Sequence, residues 1–174
     1  MSKTRALVNR LHGGDLRSIG AAGEIVAEIG NKQDLFDEVF SGIYSDIPVV
    51  RMRSADVIEK VARKHPHLLR KHKEAILSRW DEYQQKEVKW HIALLVSYLE
   101  LNSRDRQFVV ARLTNWLMDK QESRIVRVNA MEGLAGIASQ APTLREQVKK
   151  LLEAQVRCGT PAMRARGRKL LEMP

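Results

Sequence analysis

The sequence repeats itself after 76 residues, and more weakly after half that distance. The segment that begins at Val50 aligns with the segment that begins at Val126, and the alignment continues without a gap to Leu68 and Leu144. A shift of 38 residues brings Val88 into the same register. Units this short cannot bury an apolar face alone, so they must stack on their neighbours. Repeat units are predicted at approximately residues 1–30, 34–64, 66–101, 103–140 and 142–173, and the earliest, looser copy of the motif begins near Leu16 and Arg17.

Each unit is predicted to contain two helices. In residues 47–64 the apolar positions fall on one face at 100° per residue, and no segment shows the alternation of a strand. The breaks carry helix-start signals, such as Asp46 two residues before Pro48 and Thr160 directly before Pro161. The sequence therefore predicts an all-α chain of about ten helices, organised as a single repeat domain over residues 1–174.

The chain resembles the HEAT-repeat family at three positions in register. In that family an acidic residue lies five positions before an arginine of the second helix. The corresponding pairs here are Asp46 with Arg51, Gln84 with Lys89, and Glu122 with Arg127, the second of which departs from the pattern at both positions. The resemblance covers roughly residues 16–173. It implies an α-solenoid with a right-handed superhelix, and a partner protein bound along the groove that the second helices line.

One predicted second helix, residues 86–101, is apolar where water is expected. Its outward positions are Trp90, Leu94, Ser97, Tyr98 and Leu101. Either neighbouring helices bury this face, or it forms an apolar patch that a partner covers. The outward face of residues 47–64 is predicted to be an ordinary solvated surface with Met52, Asp56, Glu59, Lys60 and Arg63. That of residues 122–139 is small and weakly polar, with Val128, Glu132, Ala135, Gly136 and Ser139.

Two rows of polar side chains follow the repeat. Hydrogen-bond donors at one groove edge are Arg53, His91, Asn129 and Arg166, which are either solvated or orient an acidic ligand. The second row lies beside the buried stripe and is predicted to form a hydrogen-bond ladder between repeats. Its members are Arg17, Arg51, Lys89, Arg127 and Arg164.

Net charge leaves a second function open. The chain carries 30 Lys and Arg against 21 Asp and Glu, for a formal charge of +9. Such an excess favours binding to phosphates, although scattered surface charges are commonly only solvated. The cations singled out as phosphate or acidic-ligand contacts are Arg63, Lys64, Arg70, Lys71, Lys73, Arg164, Arg168 and Lys169. HEAT-like DNA glycosylases also combine a basic groove with aromatic and acidic residues, but this chain lacks a matching constellation around Trp90 and Asp56.

No catalytic motif, metal site or cofactor is expected. The glycine pairs lack the preceding strand of a phosphate loop, His65, His67 and His72 have no carboxylate or cysteine close by in the sequence at ligand spacing, and Cys158 is the only cysteine. No apolar stretch has the length of a secretory signal or a membrane span, so a cytoplasmic setting without membrane contact is expected. The leading hypothesis is a non-enzymatic scaffold that binds a protein partner. It is expected to be monomeric or weakly self-associating through an end repeat, and nucleic-acid binding is the alternative.

Overall fold

The structure is a computed structural model that describes residues 6–14, 18 and 20–172, and these residues are helical without any strand. The prediction of an all-α chain is therefore confirmed. The α-helices of the described residues are α1 Ala6–Asn9, α2 Ala22–Ile29, α3 Gln33–Ser41, α4 Pro48–Lys64, α5 Lys73–Ser78, α6 Lys86–Leu95, α7 Ser103–Met118, α8 Arg124–Gln140, α9 Arg145–Cys158 and α10 Pro161–Leu171. Leu16 and Arg17, on which the first repeat was placed, lie outside the described residues.

The chain forms two compact units, Met1–Ile92 and Ala93–Pro174, and the boundary between them falls within α6. In the N-terminal unit, α2 and α3 both pack against α4. The core of this unit contains Ile25, Phe36, Val57 and Ile58, all fully buried. Burying such aliphatic and aromatic side chains supplies the main favourable free energy of a helical unit.

Consecutive helices form hairpins in the C-terminal unit. The most extensive packing is between α7 and α8 and between α9 and α10, and α8 also contacts α9 and α10. The end of α6 also lies close to α8. This is possible because residue 133 on α8 is a glycine, and a Cβ atom there would overlap the backbone carbonyl oxygen of Ala93. The core includes Val109, Leu113 and Leu134.

Capping explains where several helices begin. Thr160 Oγ1 accepts a hydrogen bond from the Met163 amide at 3.4 Å, and Asn102 Oδ1 accepts one from the Asp105 amide at 2.8 Å. The start of α4 differs from the prediction, because the residue at its N-cap is Ile47 rather than Asp46. Pro48 fills the first helical position, where its missing amide hydrogen removes no bond.

The helix predicted over residues 86–101 is shorter than expected. α6 ends at Leu95, a 3₁₀ turn covers Val96–Tyr98, and Leu99 is extended. Ser97 contributes to this ending, because its hydroxyl donates to the Leu94 carbonyl at 2.7 Å. Consequently Leu101 does not continue the helical face that Leu94 begins.

No helix in the described part of the chain is both long and apolar enough to cross a bilayer.

Candidate functional site

A cavity of about 370 Å³ opens in the C-terminal unit, beside the small face of α8. Glu132, Ala135, Gly136 and Ser139 follow the i, i+3, i+4, i+7 pattern and so share one side of that helix. Ala135 and Gly136 fill so little volume that the helices and the turn opposite them leave a space. Gly136 approaches the turn closely, since a Cβ there would lie 2.8 Å from Ser97 Cβ.

Apolar side chains from four segments wall the cavity. The end of α6 contributes Leu94, the following 3₁₀ turn contributes Tyr98, α9 contributes Val148 and Leu152, and α10 contributes Leu170 and Leu171. The remaining lining residues are Ser97, Glu132, Ala135, Gly136, Ala138, Ser139, Arg145 and Lys149. Pockets of this size with apolar walls and a few polar groups are typical of ligand and side-chain binding sites.

Charged groups lie around the cavity. Glu132 forms an ion pair with Arg166 of α10, so its negative charge is compensated within the unit. Arg145 and Lys149 on α9 are exposed to solvent and line the cavity. The cavity therefore combines apolar walls with two cations that form no ion pair among the described residues.

Two of the predicted groove residues, Leu94 and Tyr98, line this cavity and are half-buried. Leu101 is half-buried outside its lining. Trp90 belongs to the N-terminal unit and is also half-buried, and its indole Nε1 is buried without a hydrogen-bond partner among the described residues. The face predicted from one helical wheel is thus divided between two units.

The expected exposure of Met52 and Arg53 is wrong, because these side chains are only 8% and 2% exposed. Arg53 reaches back to the N-terminal segment, where its guanidinium donates to the carbonyl oxygens of Leu11, Gly13 and Ser18 at 2.7 to 2.9 Å. A buried guanidinium needs such acceptors, because an unpaired buried charge is costly. Arg53 therefore holds a loop in place and is not available to a ligand.

Glu59 is likewise buried rather than solvated, and both its carboxylate oxygens accept hydrogen bonds from Arg63. Asn129 is half-buried and donates to the carbonyl of Ile125, one turn earlier on the same helix. In the predicted row of free donors, Arg53 and Asn129 therefore donate hydrogen bonds within the protein, and Arg166 forms an ion pair with Glu132.

His91 is also buried, and its surroundings disfavour protonation. Burial lowers the pKa of its imidazole to about 4, while the Asp56 carboxylate at 3.9 Å partly opposes this and Lys60 and Arg63 add to it. Nδ1 has no hydrogen-bond partner among the described residues. The neutral imidazole is therefore the form compatible with the folded state at neutral pH.

Acidification is expected to destabilise the protein through His91. A histidine whose folded pKa lies below its unfolded value stabilises fully above about pH 6.5, and that stability is lost as pH falls toward the folded pKa. Between pH 6.5 and 5 the loss from His91 alone should be about 2 kcal/mol. Chemical denaturation at both pH values measures the free energy of unfolding. Its decrease from pH 6.5 to 5 should be about 2 kcal/mol smaller in His91→Gln than in the wild type. Equal pH dependence in the two proteins would contradict the assignment.

The predicted arginine ladder is partly present in the described residues. Arg51 donates to Gln85 Oε1 at 3.0 Å and to the Ser45 carbonyl at 2.8 Å, so one arginine joins residues from successive predicted repeats. Arg127 donates to the carbonyl of Leu117 at 2.9 Å, in the last turn of α7. Cations at helix C-termini satisfy orphan carbonyls and oppose the helix dipole. Arg17 lies outside the described residues.

The two basic clusters differ in their ion pairs. In the first, Lys71 and His72 both contact the Asp37 carboxylate, Arg63 pairs with Glu59, and Lys64 is exposed. In the second, Arg164, Arg168 and Lys169 are exposed on α10, a helix without an acidic residue. Arg70 and Lys73, in the first cluster, make interactions of their own.

A second, more polar pocket of about 200 Å³ lies in the N-terminal unit. The hydroxyls of Tyr44 and Tyr83 are hydrogen-bonded at 2.9 Å, and the Arg79 guanidinium stacks on the Tyr44 ring at 3.6 Å while pairing with Glu82. Burial raises the pKa of both phenols, which therefore stay protonated at neutral pH. These groups satisfy one another, so the pocket presents few free polar groups.

Sequence reasoning missed the α9 and α10 walls of the larger cavity. A signal existed, because Arg145, Val148, Lys149 and Leu152 place paired cations beside paired aliphatics at helical spacing. No group of three or more potential metal ligands occurs among the described residues.

Comparison of the chain with protein-family models, with curated proteins and with solved structures yields no match.

Proposed function

We propose that this chain is a non-enzymatic HEAT-like repeat module that binds a partner protein, and that an apolar segment of the partner enters the cavity of the C-terminal unit. The observation that carries the proposal is the small face of α8, which leaves about 370 Å³ lined by Leu94, Val148, Leu152 and Leu170. Apolar pockets of this kind bind anchor side chains of partner proteins, which dominate the energy of many interfaces.

Helix hairpins support the repeat assignment within this proposal. α7 with α8 and α9 with α10 are antiparallel neighbours by virtue of their short connections, and the second helices α8 and α10 contact each other. Arg51 and Arg127, which are 76 residues apart, both bond carbonyls that precede their own helix. We propose a right-handed stack of such hairpins in a cytoplasmic protein.

Filling the cavity should weaken partner binding without unfolding the chain. Peptides selected from a displayed random library against the wild-type protein are expected to bind Ala135→Trp at least about tenfold more weakly, because the indole occupies the space of the anchor. The matched control is Ala111→Trp, an exposed alanine on α7 of the same unit. Circular dichroism and a thermal melt establish that both variants fold. Selected peptides that bind Ala135→Trp as tightly as wild type would contradict the proposal.

Phosphate binding is the second candidate, and the exposed cations Arg164, Arg168 and Lys169 of α10 favour it. The two candidates respond differently to salt. Binding of a labelled single-stranded oligonucleotide through α10 would weaken steeply as salt rises, since counterions are released on binding. Capture of an apolar segment in the cavity would persist in salt. The same titration series therefore separates them.

A further inference from the structure

We infer that the segment bound in this cavity is an acidic peptide, with an apolar side chain inside the cavity and carboxylates on Arg145 and Lys149 at its rim. The inference rests on the proposed function and adds the chemistry of the partner. It follows from the arrangement of charge around the cavity.

Arg145 and Lys149 are adjacent on one side of α9, because residues four apart lie one above the other on a helix. Both line the cavity and both are exposed. No carboxylate of the described residues pairs with either of them. The neighbouring acid, Glu146, pairs instead with Lys150 at 3.7 Å, and both of those side chains are 72% exposed. The rim therefore presents two cations that are free to bind an anion.

The acid in the cavity lining does not cancel this positive field. Glu132 is 21% exposed and is held by Arg166 from α10, so this pair has no net charge. Arg145 also occupies the first position of α9, where the helix dipole is positive and a cation is unfavourable. A carboxylate bound there would relieve that repulsion and would contact both side chains.

The walls specify the other half of the ligand. Val148 and Leu152 line the cavity beside the two cations of α9, and Leu170 of α10 lines it as well. A nucleic-acid backbone would satisfy the cations but would leave these walls uncovered. A peptide with an aliphatic side chain next to acidic residues satisfies both.

The test uses fluorescein-labelled peptides of equal length that share a central pair of leucines. The flanking residues are glutamates, serines or lysines, and a fourth peptide has glutamates but alanines in place of the leucines. Anisotropy titrations should give the tightest binding for the glutamate peptide with leucines. The double variant Arg145→Glu with Lys149→Glu should bind that peptide at least about tenfold more weakly and should bind the lysine peptide more tightly.

The matched control is Lys120→Glu with Arg124→Glu, which makes the same change in net charge at exposed cations of the same unit outside the cavity. This variant should bind the glutamate peptide within about twofold of wild type, since distant exposed charges are screened.

Two results would overturn the inference while leaving the proposed function intact. One is equal binding of the serine and glutamate peptides with loss of both in Ala135→Trp. The other is an unchanged glutamate-peptide affinity in the Arg145 and Lys149 double variant, again with loss in Ala135→Trp. Binding of the glutamate peptide that lacks leucines as tightly as its leucine counterpart would overturn the inference by removing the apolar anchor. If every peptide binds Ala135→Trp as tightly as wild type, both the proposed function and the inference are overturned.

Discussion

Replacing Arg53 with methionine is expected to lower the free energy of unfolding by about 3 kcal/mol, because several hydrogen bonds of a buried charged group are lost together. Arg53 is 2% exposed, and its guanidinium donates to the backbone carbonyls of Leu11, Gly13 and Ser18. Methionine has a similar length but no donor. The carbonyls of Leu11, Gly13 and Ser18 would then either stay without these hydrogen bonds or become exposed to water as their segment detaches from α4.

Hydrogen exchange distinguishes a local from a global effect of Arg53→Met. Leu7 and Leu11 are buried, and the amide of Leu7 donates to the Glu38 carboxylate at 2.7 Å, so the segment has other attachments besides Arg53. In Arg53→Met, the amides of residues 7–14 are expected to exchange faster than in wild type, and this increase should exceed any increase in the amides of α4. Lys64→Met, an exposed position on the same helix, is the control and should change stability by no more than about 0.5 kcal/mol. Unchanged exchange in residues 7–14 would contradict the role assigned to Arg53.

Gly133→Ala is expected to destabilise the C-terminal unit by about 3 kcal/mol, at the upper end of the cost of overpacking. The added Cβ would overlap the carbonyl oxygen of Ala93 and lie 3.0 Å from Leu113 Cδ1. The first of these obstacles is backbone and cannot rotate away. The helix must therefore shift and lose packing along its length.

A matched glycine-to-alanine substitution is expected to change the free energy of unfolding in the opposite direction. Gly23 in α2 has open space at its Cβ position, so Gly23→Ala should stabilise by about 0.5 to 1 kcal/mol through helix propensity alone. Urea denaturation of the two variants beside wild type measures both effects. A neutral Gly133→Ala would show that α8 and residue 93 are not in close contact.

Helical periodicity was sufficient to predict the all-α class of fold and several local features. The apolar stripe of residues 47–64 became α4, and the small residues of α8 were correctly placed on one face. Thr160 was correctly predicted to cap the last helix. These features depend on residues close together in sequence, so their spacing alone determines them.

The segment that begins at Pro66 was less predictable. It is divided into a 3₁₀ helix over Pro66–His72, the short α5, and a second 3₁₀ turn over Trp80–Glu82. Its apolar residues Ile76, Trp80 and Tyr83 are all buried, although they do not share one continuous helix. Tertiary packing overrides weak local preference in such short segments.

The sequence by itself determined that the chain is helical and where the main apolar stripe of a helix such as α4 lies. Only the tertiary structure decided that Arg53 binds a loop, that Glu59 and His91 are buried, and that the small face of α8 meets Arg145 and Lys149 across a cavity. The physical reason is that a helical wheel describes one helix in isolation. Whether the polar side of a helix is exposed to solvent depends on segments that are distant in the chain. The local sequence pattern does not specify where those segments lie.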